Sequence, residues 1–154
     1  MTGNTIQHYD IIIVGAGMVG ATLACALADS ALKIAVLEAH EMDFNWPEGT
    51  HDIRVSAITH ASQHIFENID AWESMQLDGV APYTQMHVWD ATGQGEIHFN
   101  SVDVGQANLG HIIENRVIQK AVIERLNDYE HLDLLLGVKL TRLQFEEDAA
   151  LLST

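Results

Sequence analysis

After Asp10 the chain runs through four β-branched apolar residues, Ile11-Ile12-Ile13-Val14, with no polar position among them. A stretch that is apolar on both faces suits a parallel strand buried inside a sheet, so residues 10–14 are predicted as a central strand opening the fold. Glycines at 15, 17 and 20 interrupt the run. Residues 18–29 (MVGATLACALAD) are then rich in small helix formers and predict a helix lying close on the sheet. Residues 33–37 (KIAVL) predict a second buried strand, which completes a strand, turn, helix, strand unit over residues 10–38.

The pattern then loosens. Residues 40–53 carry charges, Pro47 and Gly49 with no sustained period, which predicts a loop ending at Arg54. Thr59 is placed to cap a helix running to about residue 69, with Ile58, Ala61, Ile65 and Ile69 as its apolar side. A short helical turn follows over Trp72 to Leu77. Residues 84–90 (TQMHVWD) and 95–99 (GEIHF) alternate on either side of a polar, glycine-containing turn, as an antiparallel hairpin does. Residues 115–128 place Val117, Ile118, Ala121, Val122 and Leu126 at helical spacing, with Asn115 positioned as the cap. Residues 132–136 (LDLLL) predict a third parallel strand, and the closing segment reads as a strand, an acidic turn and the start of its partner. Neither an internal repeat nor an interdomain linker is evident, and 154 residues are enough for one domain with a core.

Charge narrows the classes of partner. Twenty-two acidic against seven basic side chains leave a net charge of −15, which repels nucleic-acid phosphates and anionic lipid headgroups, so no nucleic-acid partner is expected. Nor do these residues offer a basic or amphipathic membrane-docking surface. The one cysteine, Cys25, rules out an internal disulfide and suits small-residue packing on a helix in a reducing compartment. The first residues lack the pattern of a secretion signal, so a cytoplasmic location is expected. Residues 11–28 are uncharged, yet the glycines divide them into a strand and a helix, each too short to cross a bilayer.

The chemistry sits in Gly15-Ala16-Gly17-Met18-Val19-Gly20, placed between a buried strand and a helix. Gly15 permits a sharp turn, Gly17 admits a pyrophosphate to the backbone, and Gly20 lets the helix approach the strand. The amides at the helix start then face the doubly charged pyrophosphate, reinforced by the helix dipole. Glu38, eighteen residues beyond Gly20 at the end of the second strand, is where a carboxylate accepts hydrogen bonds from ribose hydroxyls. Dinucleotide binding follows, without a choice between flavin and nicotinamide adenine dinucleotide.

Two later segments make that choice by resemblance. DIRVSAITHAS (residues 52–62) and LGHIIENRVIQKAV (residues 109–122) resemble the flavoprotein hydroxylases of ubiquinone biosynthesis, as does YTQMHVWD (residues 83–90), and the likeness runs over nearly the whole chain. Among them it looks most like the members that act on a 2-polyprenylphenol. The resemblance implies an α/β, Rossmann-like, three-layer FAD-binding fold of the 4-hydroxybenzoate hydroxylase type, incomplete here, with an inserted antiparallel hairpin at about 84–99. Residues 1–154 would then be the N-terminal part of the FAD-binding domain. The family is one of single-component monooxygenases in which NAD(P)H reduces FAD and one atom of dioxygen reaches an activated phenol ring. The implied partners are a polyprenylphenol and dioxygen, with a ubiquinone-biosynthesis complex as a further one, and unpaired sheet edges suggest self-association instead. The whole enzyme would lie in the cytoplasm or peripheral to the inner membrane.

Carried onto this chain, the resemblance places Gly15, Ala16, Gly17, Met18, Val19 and Gly20 at the pyrophosphate, and Glu38 with Ala39 at the ribose. Arg54 would reach the flavin as a fixed cation, and Asn115, with Arg116 ranked after it, would stand near the ribityl chain. Ala31 departs from the family, which usually has glycine before the second strand. The family's alanine-aspartate-glycine and glycine-aspartate motifs do not occur in these residues. A catalytic residue is therefore not assigned, and the chain as given is expected to lack hydroxylase activity. Rival readings are another flavin or nicotinamide oxidoreductase, or a non-catalytic dinucleotide-binding module.

Other candidates read more simply. His60 and His64 are spaced for one helix face but lack a third ligand, so no metal site is expected. Glu146, Glu147 and Asp148 read as a solvated turn, Trp72 and Trp89 as packing anchors, and His111 as a structural histidine.

Overall fold

The computed structural model describes residues 6–154. In chain order the elements are β1 (Ile11–Val14), α1 (Met18–Leu27), β2 (Ile34–Leu37), β3 (Val55–Ile58), α2 (His60–Asn68), α3 (Trp72–Asp78), β4 (Ala81–Tyr83), β5 (Gln85–Trp89), β6 (Glu96–Asn100), β7 (Gly110–Glu114), α4 (Asn115–Asn127), β8 (Leu132–Leu135), β9 (Arg142–Phe145) and β10 (Ala150–Ser153). They divide into two compact units, one holding the described residues up to Trp46 together with Val122–Thr154, the other Pro47–Ala121.

The first unit is built on a parallel sheet in the order β1-β2-β8. All four residues of β2 are buried, as its unbroken apolar run requires. The opening strand differs from its expected central place: among the described residues β1 pairs only with β2, and Val14 is 55% exposed. An apolar run identifies a parallel strand but not its position in the sheet, which partners distant in sequence decide. α1 packs against β1 and β2 and buries Ala21, Ala24 and Cys25, whose small side chains allow the close approach. Burial pushes the Cys25 thiol up to about 11, and it donates to the Val122 carbonyl at 3.5 Å, consistent with packing. Tyr9, just ahead of β1, donates its hydroxyl to Asp133 of β8 at 2.7 Å. The strands β9 and β10 form an antiparallel pair joined by the exposed acidic turn at 146–148. Ala31 needs no left-handed backbone, since among the described residues Asp70 is the non-glycine residue with positive φ.

The second unit holds an antiparallel sheet in the order β3-β7-β4 and the separate hairpin β5-β6. Thr59 caps α2, its hydroxyl accepting from the Ser62 amide at 3.3 Å. The buried side of α2 is rotated from the expected one: Phe66 is buried and the Ile69 cap with it, whereas Ala61 and Ile65 are exposed. The broad Phe66 ring has more apolar area to remove from water than Ala61, so it sets the inward face. Trp72 and Met75 of α3 are also buried, but Trp89 is 65% exposed on the hairpin and does not serve as a packing anchor.

α4 starts in one unit and ends in the other, and it buries Val117, Ile118, Ala121, Val122 and Leu126 as their spacing requires. Its start is held by Glu114, the last residue of β7. That carboxylate accepts from the Asp52 amide at 2.9 Å and meets His51 at 2.8 Å and the Arg116 guanidinium at 2.7 Å. These partners, the Asp52 amide foremost and then His51, outweigh the opposing effect of burial and hold Glu114 down at about 2.

Two outcomes are expected. A methyl at Gly20 would press into the Gly15 carbonyl oxygen and lie 3.2 Å from Ile13 Cγ2, whereas one at Gly95 meets nothing within 4 Å. Gly20→Ala should therefore lose about 1–3 kcal/mol of stability in denaturant unfolding while Gly95→Ala stays near neutral; equal midpoints would show that α1 can move off its turn. Because the folded-state value for Glu114 lies below its usual 4.5, its contribution is complete above that value and disappears as pH falls through about 2. Glu114→Gln should lower stability by about 1–2 kcal/mol near neutral pH. That deficit should shrink on acidification, and a pH-independent deficit would contradict the assignment.

Candidate functional site

The parallel register pairs Val14 with Leu37, so the next residues along the two strands, Gly15 and Glu38, emerge side by side at one end of the sheet. Gly15 donates its amide to the Leu37 carbonyl at 2.7 Å and turns the chain with φ +103, a conformation that a β-carbon resists. The next amide, Ala16, donates to Glu38 Oε2 at 3.0 Å. Glu38 Oε1 in turn accepts from the His40 amide at 3.1 Å. Burial raises the Glu38 carboxyl, but the Ala16 and His40 hydrogen bonds outweigh it, and the net position is below the usual 4.5. The group is thus an ionised acceptor in neutral solution. Oε1 also meets the His40 ring Nδ1 at 3.4 Å, while Oε2 has the Ala16 amide as its one described donor and keeps a lone pair for a hydroxyl.

Helix α1 begins immediately beside this carboxylate. Gly17 is its N-cap, with φ −67 and ψ −179, and no side chain caps the first turn, where Met18, Val19 and Gly20 carry amides lacking intrahelical acceptors. Gly17 is exposed, and a β-carbon built on it meets nothing within 4 Å, so there is open space over the loop where a ligand can come against the backbone. Uncapped amides and a helix dipole favour an anion there, and the adjacent carboxylate favours hydroxyls. This is a donor and acceptor set suited to an adenosine diphosphate group. Ala39 follows Glu38, is exposed and adds no side-chain polar group.

The remaining expected residues belong to the other unit. There the pairing of Val55 with Glu114 brings Arg54 and Asn115 together, and the Asn115 amide donates to the Arg54 carbonyl at 2.9 Å. Arg54 is exposed. Asn115 was expected to cap α4, but it is the first residue of the helix, and its side-chain oxygen accepts from the Ser56 hydroxyl at 2.6 Å. The neighbouring strand supplies a hydroxyl that local sequence does not reveal. Arg116 is engaged by Glu114 and by the Thr50 carbonyl. Sequence reading missed Ser56 and Glu114, although both lie inside the two runs on which the resemblance rests.

The His111 ring lies edge-on to Trp72 at a centroid separation of 5.2 Å. Its Nδ1 is buried without a hydrogen bond, and burial, then the neighbouring His60, hold the ring below the usual histidine range. His60 turns its Nε2 to the Asn108 carbonyl at 2.9 Å. No helix among the described residues is long and apolar enough to cross a membrane.

Residues 13–42 match the family model described as an NAD(P)-binding Rossmann-like domain. The chain is 34% identical over 148 residues to the mitochondrial ubiquinone biosynthesis monooxygenase of Drosophila melanogaster, a match covering 93% of this chain and 31% of that protein. It is 29% identical over 144 residues to the 3-demethoxyubiquinol 3-hydroxylase of Escherichia coli, covering 94% of this chain and 37% of the relative. Among solved structures, a probable FAD-dependent monooxygenase from Pseudomonas aeruginosa superposes with a TM-score of 0.68 at 18% identity, over 92% of this chain and 36% of the other. The fold is Rossmann-like α/β with a parallel sheet, and the chain is a homologue of the ubiquinone-biosynthesis monooxygenases, matched along part of their length.

Proposed function

We propose that this chain is the N-terminal part of the FAD-binding domain of an NAD(P)H-dependent monooxygenase of ubiquinone biosynthesis, whose aromatic substrate is a polyprenylphenol. The observation that carries the reading is the Glu38 carboxylate anchored on the Ala16 amide beside an uncapped helix start. In this reading the helix-start amides of Met18, Val19 and Gly20 receive the pyrophosphate over Gly17, while Gly15 and Ala16 shape the turn with their amides committed to Leu37 and Glu38, and Glu38, next to Ala39, accepts the adenosine ribose hydroxyls. Arg54 and Asn115 are assigned to the flavin side, and Arg116 acts behind them by fixing Glu114 at the start of α4. When bound, the flavin supplies the redox and oxygen chemistry of ring hydroxylation, while these residues bind and orient it. The chain spans 31% and 37% of the lengths of these two relatives, and phenol binding and ring hydroxylation are assigned to the whole protein.

FAD and ADP titrations test the binding assignment. Gly17→Ala puts a methyl into open space on a backbone that any residue adopts, so its melting temperature should equal that of the parent. Its affinity for FAD should nevertheless fall about tenfold or more, roughly 1.4 kcal/mol, because the methyl occupies the approach to the backbone. Glu38→Gln should weaken ADP and FAD alike. Unchanged affinities in both variants would overturn the site. A separate assay of NADPH oxidation with a polyprenylphenol should show no substrate-dependent turnover by the 154-residue chain, and robust turnover would contradict the proposed division of the enzyme.

A further inference from the structure

The β5-β6 ribbon gathers three metal-ligating side chains on one face. Its antiparallel register sets His87 opposite His98 and Trp89 opposite Glu96, and residues two apart along a strand share a face, so both imidazoles and the carboxylate project together. His87 Nε2 lies 3.2 Å from Glu96 Oε2, and His98 Nε2 lies 3.8 Å from the same oxygen. The two imidazole rings are stacked at a centroid separation of 3.8 Å, and one ligand atom from each of the three residues falls within 4.8 Å of the others. Bonds of about 2.0–2.2 Å in a tetrahedral zinc site put ligand atoms about 3.3–3.6 Å apart, so these donors are within range of one ion, and the stacked rings would tilt apart to aim their lone pairs at it.

We propose that His87, Glu96 and His98 form a site for a divalent transition-metal ion of the zinc, nickel and copper class. Two imidazoles and one carboxylate form a donor set that suits those ions better than magnesium or calcium, which prefer all-oxygen shells. The ligand side chains are 43%, 62% and 63% exposed for His87, Glu96 and His98, so an ion can enter from solvent and keep water in its remaining positions. His87 and Glu96 line a shallow cavity of about 420 Å³ together with Trp89, Asp90 and the turn at 93–95. A bound ion would tie β5 to β6 across the ribbon. This cluster is distinct from the His60 and His64 pair, and the absence of a metal site expected from sequence spacing does not anticipate it: the ligands lie nine and eleven residues along from His87 and meet through strand pairing.

Calorimetric titration of the metal-free full chain with zinc chloride tests the site, with magnesium chloride as the comparison ion. One zinc ion per chain is expected, with affinity reduced at least about tenfold in His98→Ala and in Glu96→Gln and unchanged in His64→Ala, since even outer-sphere changes can cost that much. Histidine ring resonances of the parent chain, followed by NMR, provide a second measurement that needs no variant: those of His87 and His98 should move together at one equivalent. No zinc binding would overturn the proposal, as would His98→Ala binding as tightly as the parent, or resonance shifts confined to other histidines.

Discussion

The candidate site depends on strand register. Because β1 and β2 are parallel and pair Val14 with Leu37, the glycine turn leaving one strand and the carboxylate leaving the other are neighbours without any long side chain having to reach. The Gly15 amide then extends the ladder onto Leu37, and the Ala16 amide closes onto Glu38. A slip of one residue would exchange the side chains that β2 presents to its two covered faces and carry Glu38 out of line with the turn. Burial of every residue of β2 opposes such a slip. The apolar core of the first unit therefore maintains the geometry of an exposed polar site.

The second unit uses the same device in an antiparallel sheet. Pairing of Val55 with Glu114 sets Arg54 beside Asn115, and Glu114 gathers the Asp52 amide, His51 and Arg116. In a chain with net charge −15, such a carboxylate needs donors close at hand. Backbone amides supply several of them: Ala16 and His40 for Glu38, Asp52 for Glu114. Amides carry no net charge of their own and are held by the fold, so they hold acids ionised while adding little side-chain ordering cost.

The hairpin differs from both sheets in what it exposes. Val88, Trp89, Ile97 and Phe99 are all about half exposed or more, with values from 45% to 65%, although their alternation predicts a strand well. Alternation establishes that two faces exist, while the surroundings determine how much of either is covered. On this ribbon the polar positions acquire their meaning from cross-strand pairing, which stacks His87 on His98 and leaves Glu96 within reach of both.

Local pattern was sufficient wherever one segment carries its own signal. The unbroken apolar runs of β1 and β2, the leucine-rich run of β8, the Thr59 cap, the spacing of Val117 to Leu126 and the glycine turn with its distant acid are all such cases. The strands β3, β4 and β7 were not legible as elements, because they are three to five residues long and of mixed burial, so their ladder is their main evidence. The sequence by itself determined the strand-turn-helix-strand unit and the chemical character of its ends, since these follow from side-chain type and short-range spacing. Tertiary structure decided that among the described residues β1 pairs with β2 alone, that Ser56 holds Asn115, that Phe66 faces inward, and that His87, Glu96 and His98 converge. Those outcomes depend on pairings between segments far apart in the chain, whose energies no single stretch of residues contains.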